Sequence, residues 1–167
     1  MDAIIRLVEP QEYDALGELT ARTYLDDGLL AFGEEDPYLP VLRDTAERAA
    51  QSEVLVAVDG SGRLLGGVAF TPGARPYANI AGDDEAEFRM LVVATEARKR
   101  GVGEALVMAC VERARAIEGC RRLVLSTDQQ MHAAHRIYER LGFVRTPGRD
   151  WSPFAELEPL LTYALEL

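Results

Sequence analysis

The stretch Arg98-Lys99-Arg100-Gly101-Val102-Gly103-Glu104-Ala105-Leu106 decides the reading of this chain. Two glycines bracket one residue where a helix begins. Glycine lets the backbone turn tightly and approach a ligand with no Cβ in the way. The first N–H groups of a helix have no partner inside it and point outward. With the helix dipole they form an anion site. Three cations stand just upstream, in a chain whose formal net charge is -10. A phosphate-bearing ligand is the economical reading. The loop lacks the Gly-Lys-Ser/Thr of a P-loop. It also lacks the third glycine of a Rossmann fingerprint, because Leu106 stands there.

Before the loop, Glu85 to Val93 reads as a strand. Its apolar run Met90-Leu91-Val92-Val93 suits a central strand covered on both faces. After it, a helix runs from Gly101 to about Ile117 and closes at Glu118-Gly119. A strand at Arg122 to Ser126 follows, then a helix from Met131 to Leu141 stopped by Gly142. Phe143 to Arg145 and Leu160 to Leu167 are the last strands. At the other end, Ala3 to Val8 is a strand, and Glu9-Pro10 starts a helix that ends at Asp26-Asp27-Gly28. A second helix is expected over Tyr38 to Ala50, with Leu39, Leu42, Ala46 and Ala49 on one face. Strands Glu53 to Val58 and Leu64 to Phe70 form a hairpin about Asp59-Gly60-Ser61-Gly62. Thr71 to Asp84 is a loop rich in Pro, Gly and Ala. The order β-α-α-β-β-β-α-β-α-β-β gives an α/β (α+β) fold. Its central sheet is mixed, mostly antiparallel and flanked by helices. Residues 1–167 are expected to form a single domain.

Composition narrows the function. Hydrophobic residues make up 48% and charged residues 28%, a soluble globular balance. No apolar run approaches the roughly 20 residues that span a membrane. The N-terminal sequence lacks a signal-peptide pattern. With Cys110 and Cys120 as its cysteines, a cytoplasmic protein with reduced thiols is expected. The acidity argues against nucleic acid as a partner. It favours a cationic substrate such as an amine.

Three segments, in order and at matching spacing, resemble the GNAT acetyltransferase superfamily. Arg98, Gly101 and Gly103 fit its Arg/Gln-x-x-Gly-x-Gly/Ala motif. Ala86-Glu87-Phe88-Arg89-Met90-Leu91-Val92-Val93 is similar to its fourth strand. Ala134, Tyr138 and Gly142-Phe143 fit its Ala-x-x-x-Tyr-x-x-x-Gly-Phe segment. The resemblance implies an acyl-CoA N-acyltransferase-like fold and acetyl-coenzyme A as acyl donor. It implies that Arg98, Lys99, Arg100, Gly101, Val102 and Gly103 hold the pyrophosphate, with Glu104 at the edge. It assigns Leu91, Val92 and Val93 to backbone contacts with the pantetheine, in a gap where the fourth and fifth strands splay. One departure stands out. The family often has Asn seven residues before the Tyr, and here that residue is Met131. A thioether lacks the amide's donors, so the contact passes to Thr127, Asp128 or a water.

The resemblance makes Tyr138 the acid that meets the leaving thiolate, against its reading as a core aromatic beside Ile137 and Leu141. It makes Glu87 the base that takes the amine's proton, against a solvent-facing or ion-paired strand residue bridging Arg89. Glu85 is a weaker alternative base. His132 and His135 have chelating spacing but no third ligand, so no metal is expected. On the acceptor side stand Tyr24, Asp26, Asp27, Glu34, Glu35, Asp36 and Tyr38, then Asp150 and Trp151. Carboxylates beside aromatics suit an ammonium ion. A solvated acidic loop is the plainer account. The expected reaction is acetyl transfer to a primary amine of a small molecule or protein. The alternatives are a non-catalytic acyl-CoA sensor on the same fold, or a protein that takes another phosphate. A homodimer is the default oligomer.

Overall fold

The computed structural model describes residues 3–167. Two compact units divide the chain, one holding the residues up to Phe70 together with Met90–Ala109, the other Thr71–Arg89 with Cys110–Leu167. The strands hydrogen-bond in the order β1-β2-β3-β4-β5-β7-β6.

In the first unit, β1 (Ile4–Leu7) runs antiparallel to β2 (Glu53–Val58), and β2 to β3 (Leu64–Pro72). Asp59 makes the β2–β3 turn, its Oδ1 accepting from the Ser61 and Arg63 amides at 2.9 and 3.0 Å. Helix α1 (Tyr13–Asp26) follows a short 3-10 turn at Pro10–Glu12. Glu12 holds that junction. Its Oε1 accepts from the Glu9 amide at 2.9 Å, and its carboxylate grips Arg6 of β1 at 2.9 and 2.8 Å. Leu16 of α1 packs on Gly67 of β3, where any Cβ would meet the leucine.

The helix expected over Tyr38 to Ala50 is two helices, α2 (Leu39–Arg43) and α3 (Thr45–Gln51). Asp44 breaks it by capping α3, its Oδ1 accepting from the Glu47 amide at 3.1 Å. The buried face is accordingly Leu39, Leu42, Thr45 and Arg48, and Ala46 is exposed. Arg48 is buried because its guanidinium serves the carbonyls of Val41 and Leu42 at 3.2 Å each.

Strand β4 (Glu85–Val93) and helix α4 (Val102–Arg115) each pass through both units. In the second unit, β4 pairs in parallel with β5 (Arg122–Thr127) at Glu85↔Arg122, Ala86↔Leu123 and Glu87↔Val124. Strand β7 (Leu161–Glu166) lies antiparallel to all of β5 and also pairs with β6 (Val144–Arg145). Helix α5 (His132–Arg140) precedes β6.

The fully buried run of β4 is Glu85–Phe88, not the apolar Met90–Val93, of which Val92 alone is buried. The cause is Met90, whose φ of 57° is left-handed. Such a residue re-aims the strand and breaks its alternation, as at a bulge. Two carboxylates therefore sit inside. Glu85 is paid for by cations: Arg149 grips it at 2.8 and 2.9 Å, Arg122 reaches it at 3.3 Å, and the Gly82 amide donates at 3.0 Å. The Arg149 guanidinium, first among these, holds the Glu85 carboxyl at about 2.

A carboxylate whose folded value lies below its unfolded one stabilises above the unfolded value and loses that contribution as pH falls. Glu85→Gln should therefore cost about 2 kcal/mol at neutral pH, the lowered carboxyl being discounted for the partly exposed Arg149 and Arg122. The urea midpoint of wild type should fall between about pH 4.5 and pH 2, and this part of the fall should be missing in Glu85→Gln.

Candidate active site

The loop before α4 is built from left-handed backbone. Lys99 has φ 64° and Gly101 has φ 81°. Glycine takes that conformation freely, and any other residue is strained there. The first helical bond of α4 runs from the Ala105 amide to the Gly101 carbonyl at 3.0 Å. The amides of Val102, Gly103 and Glu104 precede it and gain no partner within the helix. The helix starts at Val102, one residue later than expected, because Gly101 makes the turn. Val102 and Gly103 are buried, whereas Lys99 and Arg100 are exposed.

Arg98 fastens this loop. Its Nε donates to the Val93 carbonyl at 3.4 Å, and its Nη2 pairs with Asp27 Oδ2 at 3.0 Å. Asp27 caps the C-terminal end of α1, whose last turn has no basic residue. Of Leu91, Val92 and Val93, the middle residue is buried and its neighbours are half-buried.

In the second unit, Glu87 is fully buried. Its Oε1 accepts three consecutive amides, Asn79 and Ile80 at 2.9 Å and Ala81 at 3.0 Å. Its Oε2 has no hydrogen-bond partner among the described residues. Glu87 is thus neither solvent-facing nor bridged to Arg89. Burial pushes its carboxyl above the ordinary carboxylate range, against the pull of the three amides. Arg89 instead donates to the Tyr77 carbonyl at 2.9 Å and stacks on the Tyr77 ring at 4.3 Å.

Tyr138 is buried among rings. Tyr163 lies at 5.6 Å, Phe88 at 5.8 Å and Phe143 at 5.9 Å between centroids. Burial, reinforced by Cys110 and Tyr163, holds the phenol far above its ordinary value, so it keeps its proton. The spacing Tyr138…Gly142-Phe143 has a local cause. Gly142, at φ 96°, ends α5, with its amide on the Glu139 carbonyl at 3.1 Å and the Phe143 amide on the Tyr138 carbonyl at 2.9 Å. These are the two bonds of a Schellman cap. The cap folds Phe143 back against Tyr138.

Met131 caps the start of α5, and the Thr127 hydroxyl contacts its sulfur at 3.8 Å. His135 is buried, with Nε2 at 3.0 Å from the Asp128 carbonyl, and burial lowers its pKa. It packs on His132 and Tyr163. No group of three metal-binding side chains occurs among the described residues. Several acceptor-side groups are engaged internally. Asp36 takes the amides of Phe32 and Tyr38, Asp150 clamps Arg145 at 2.9 Å through both oxygens, and Trp151 donates to Ser126 at 2.8 Å.

The acetyltransferase (GNAT) family model matches residues 13–143. The chain belongs to that family. Its reaction is therefore acetyl transfer from acetyl-coenzyme A to an amine. No curated protein matches by sequence. Among solved structures, the GNAT superfamily phosphinothricin acetyltransferase of Sinorhizobium meliloti, in complex with acetyl-CoA, is 20% identical at a TM-score of 0.74. That match covers 100% of this chain and 89% of that one. Salmonella typhimurium yncA, solved with acetyl-CoA, is 19% identical at 0.72 over 100% and 95% of the two chains. A GCN5-related N-acetyltransferase of Kribbella flavida is 23% identical at 0.71 over 99% and 98%. At these identities the likeness speaks for the fold, and it agrees with the mixed α/β architecture expected.

Within this GNAT chain, the hold of Arg89 on Tyr77 and of Glu87 on Asn79–Ala81 escaped the sequence reading. The signal was present as Glu85-x-Glu87-x-Arg89, three charges at strand spacing in a segment otherwise apolar. Gly103→Asp places a charge among the first amides of α4. Acetyl-CoA at 100 times its Kd should stabilise wild type by about 2.7 kcal/mol. In thermal-shift titrations Gly103→Asp should show none of this stabilisation.

Proposed function

We propose that this enzyme acetylates a primary amine of a small molecule, using Tyr138 and Glu87 at the reacting atoms. The observation that carries the reading is the state of those two groups. One is a buried phenol that burial keeps protonated, and the other a buried carboxylate with an unspent oxygen. In this reading the amides of Val102, Gly103 and Glu104, with Lys99, Arg100, Arg98 and Gly101, bind the coenzyme A pyrophosphate. Leu91, Val92 and Val93 pair with the pantetheine, since the ladder from β4 to β5 reaches only Glu87. Thr127 supports the thioester arm in place of the usual Asn. The structural neighbours include phosphinothricin acetyltransferases and a histone acetyltransferase, and the reading takes the small amine of the former.

The amine nitrogen attacks the thioester carbonyl carbon as the carbon–sulfur bond breaks. Glu87 Oε2 takes the proton released from nitrogen, directly or through water. Burial raises its basicity, so activity should rise with pH as Glu87 ionises above the ordinary carboxylate range. Tyr138 donates a hydrogen bond to the departing sulfur. Its raised pKa makes it a poor proton releaser and a dependable hydrogen-bond donor. Residues 1–167 work as one domain, through which β4 and α4 run unbroken. A cytoplasmic setting accords with Cys110 and Cys120 standing outside any disulfide, and no helix of the described residues is long and apolar enough to cross a membrane.

A panel of small amines, assayed by thiol release from acetyl-CoA, tests the activity. An acetyl-CoA-dependent stabilisation without turnover on any amine would favour a sensor. Tyr138→Phe should lower kcat by about 100-fold. Its acetyl-CoA affinity, measured by calorimetry, should stay within about twofold of wild type.

A further inference from the structure

Glu85, Glu87 and Arg89 alternate along β4, so their side chains share one face of the strand. All three reach the loop that precedes β4, and they take its main chain in reverse order. Glu85 takes the Gly82 amide at 3.0 Å. Glu87 takes the amides of Ala81, Ile80 and Asn79 on a single oxygen. Arg89 takes the Tyr77 carbonyl and stacks on its ring. Arg149 adds a bond of 2.9 Å to the Ile80 carbonyl. A loop of six residues is thus pinned at five of them.

Holding a loop with a buried acid is costly, and an apolar residue of similar size is often the more stabilising choice. The carboxylate is kept for another reason. Oε1 and Oε2 share one carbon, so a group held at the buried Oε2 would lie close to Asn79–Ala81. The Tyr77 ring is half-buried and held by Arg89, whereas the Asn79 side chain is exposed. The bonds to Asn79–Ala81 take backbone groups and leave the Asn79 side chain to vary.

We infer that the segment Tyr77–Ala81 determines which amine is accepted, and that Glu87 positions it through Oε1 while Oε2 serves the reaction. The second half rests on the role proposed for Glu87 above. The two oxygens then have separable functions. Gln keeps an oxygen for the three amides but takes no proton. Ala keeps neither. Burial already disfavours the charged form of Glu87, so the neutral Gln is compatible with the fold.

The experiment compares Glu87→Gln, Glu87→Ala, Asn79→Ala and Tyr77→Leu, each checked for a wild-type circular dichroism spectrum. It measures kcat and KM for the amines active in the panel, with acetyl-CoA affinity by calorimetry. Asn79→Ala and Tyr77→Leu should raise the amine KM about tenfold and reorder the panel, with acetyl-CoA affinity unchanged. Glu87→Gln should lose kcat at near wild-type KM, and Glu87→Ala should lose both. If folded Asn79→Ala and Tyr77→Leu keep the wild-type KM and ranking, the inference is overturned, whatever Glu87→Gln does. If Glu87→Gln keeps its kcat, the base assignment fails, while a raised KM in the loop variants still supports the segment as the selector.

Discussion

The burial of two carboxylates side by side on β4 is the constraint on which the second unit depends. Glu85 and Glu87 stand two residues apart on one face, about 7 Å at strand rise. Neither is solvated, and like charges at that separation repel. Each must be compensated, and the chain does so in opposite ways. Glu85 receives two guanidinium groups and is held at about 2. Glu87 receives three amides and no direct cation, and its carboxyl is pushed up. The loop Tyr77–Gly82 and the turn that carries Arg149 are placed where this compensation requires them.

The first unit meets a different constraint, that of holding positive charge in an acidic chain. Arg98 is fixed between a strand-end carbonyl and Asp27. Asp27 is poorly placed for α1 itself, because an acid at a helix C-terminus opposes the dipole. Arg98 offsets that cost.

The strands and helices were legible because their periodicity is set by burial, and β4 was read to its residue limits. The turn before α4 was legible because glycine spacing reports backbone conformation directly. Other features were hidden because they depend on partners distant in sequence. Asp44 carries no mark in the sequence that sets it apart from a polar residue on a helix face, and its cap on the Glu47 amide is what divides α2 from α3. Met90 carries no sequence mark of a left-handed conformation, so the buried run was assigned to its apolar side. The three amides on Glu87 come from a loop whose composition announces only irregular structure. Tyr138 was legible as a motif residue, but the reason for the spacing, a Schellman cap, lies in the hydrogen bonds.

The opposite treatment of the two acids also supports the proposal of Glu87, and not Glu85, as the base. A carboxylate held near 2 by guanidinium groups has little affinity for a proton, and taking one would break its grip on Arg149. Glu87 is the better acceptor of the pair, since burial raises its affinity and protonation leaves no cation unpaired. Environments that push neighbouring titratable groups apart are how one site divides acid and base work. Tyr138 obeys the same cause with the opposite charge bookkeeping: desolvation keeps its proton on, as it keeps Glu87 ready to receive one. Phe88, the residue next to Glu87, points to the opposite face of β4 and stacks on Tyr138, so the strand buries the carboxylate on one face and the phenol's neighbour on the other. The two groups are thus kept dry by separate packings, and the proton affinity of each follows from its own burial.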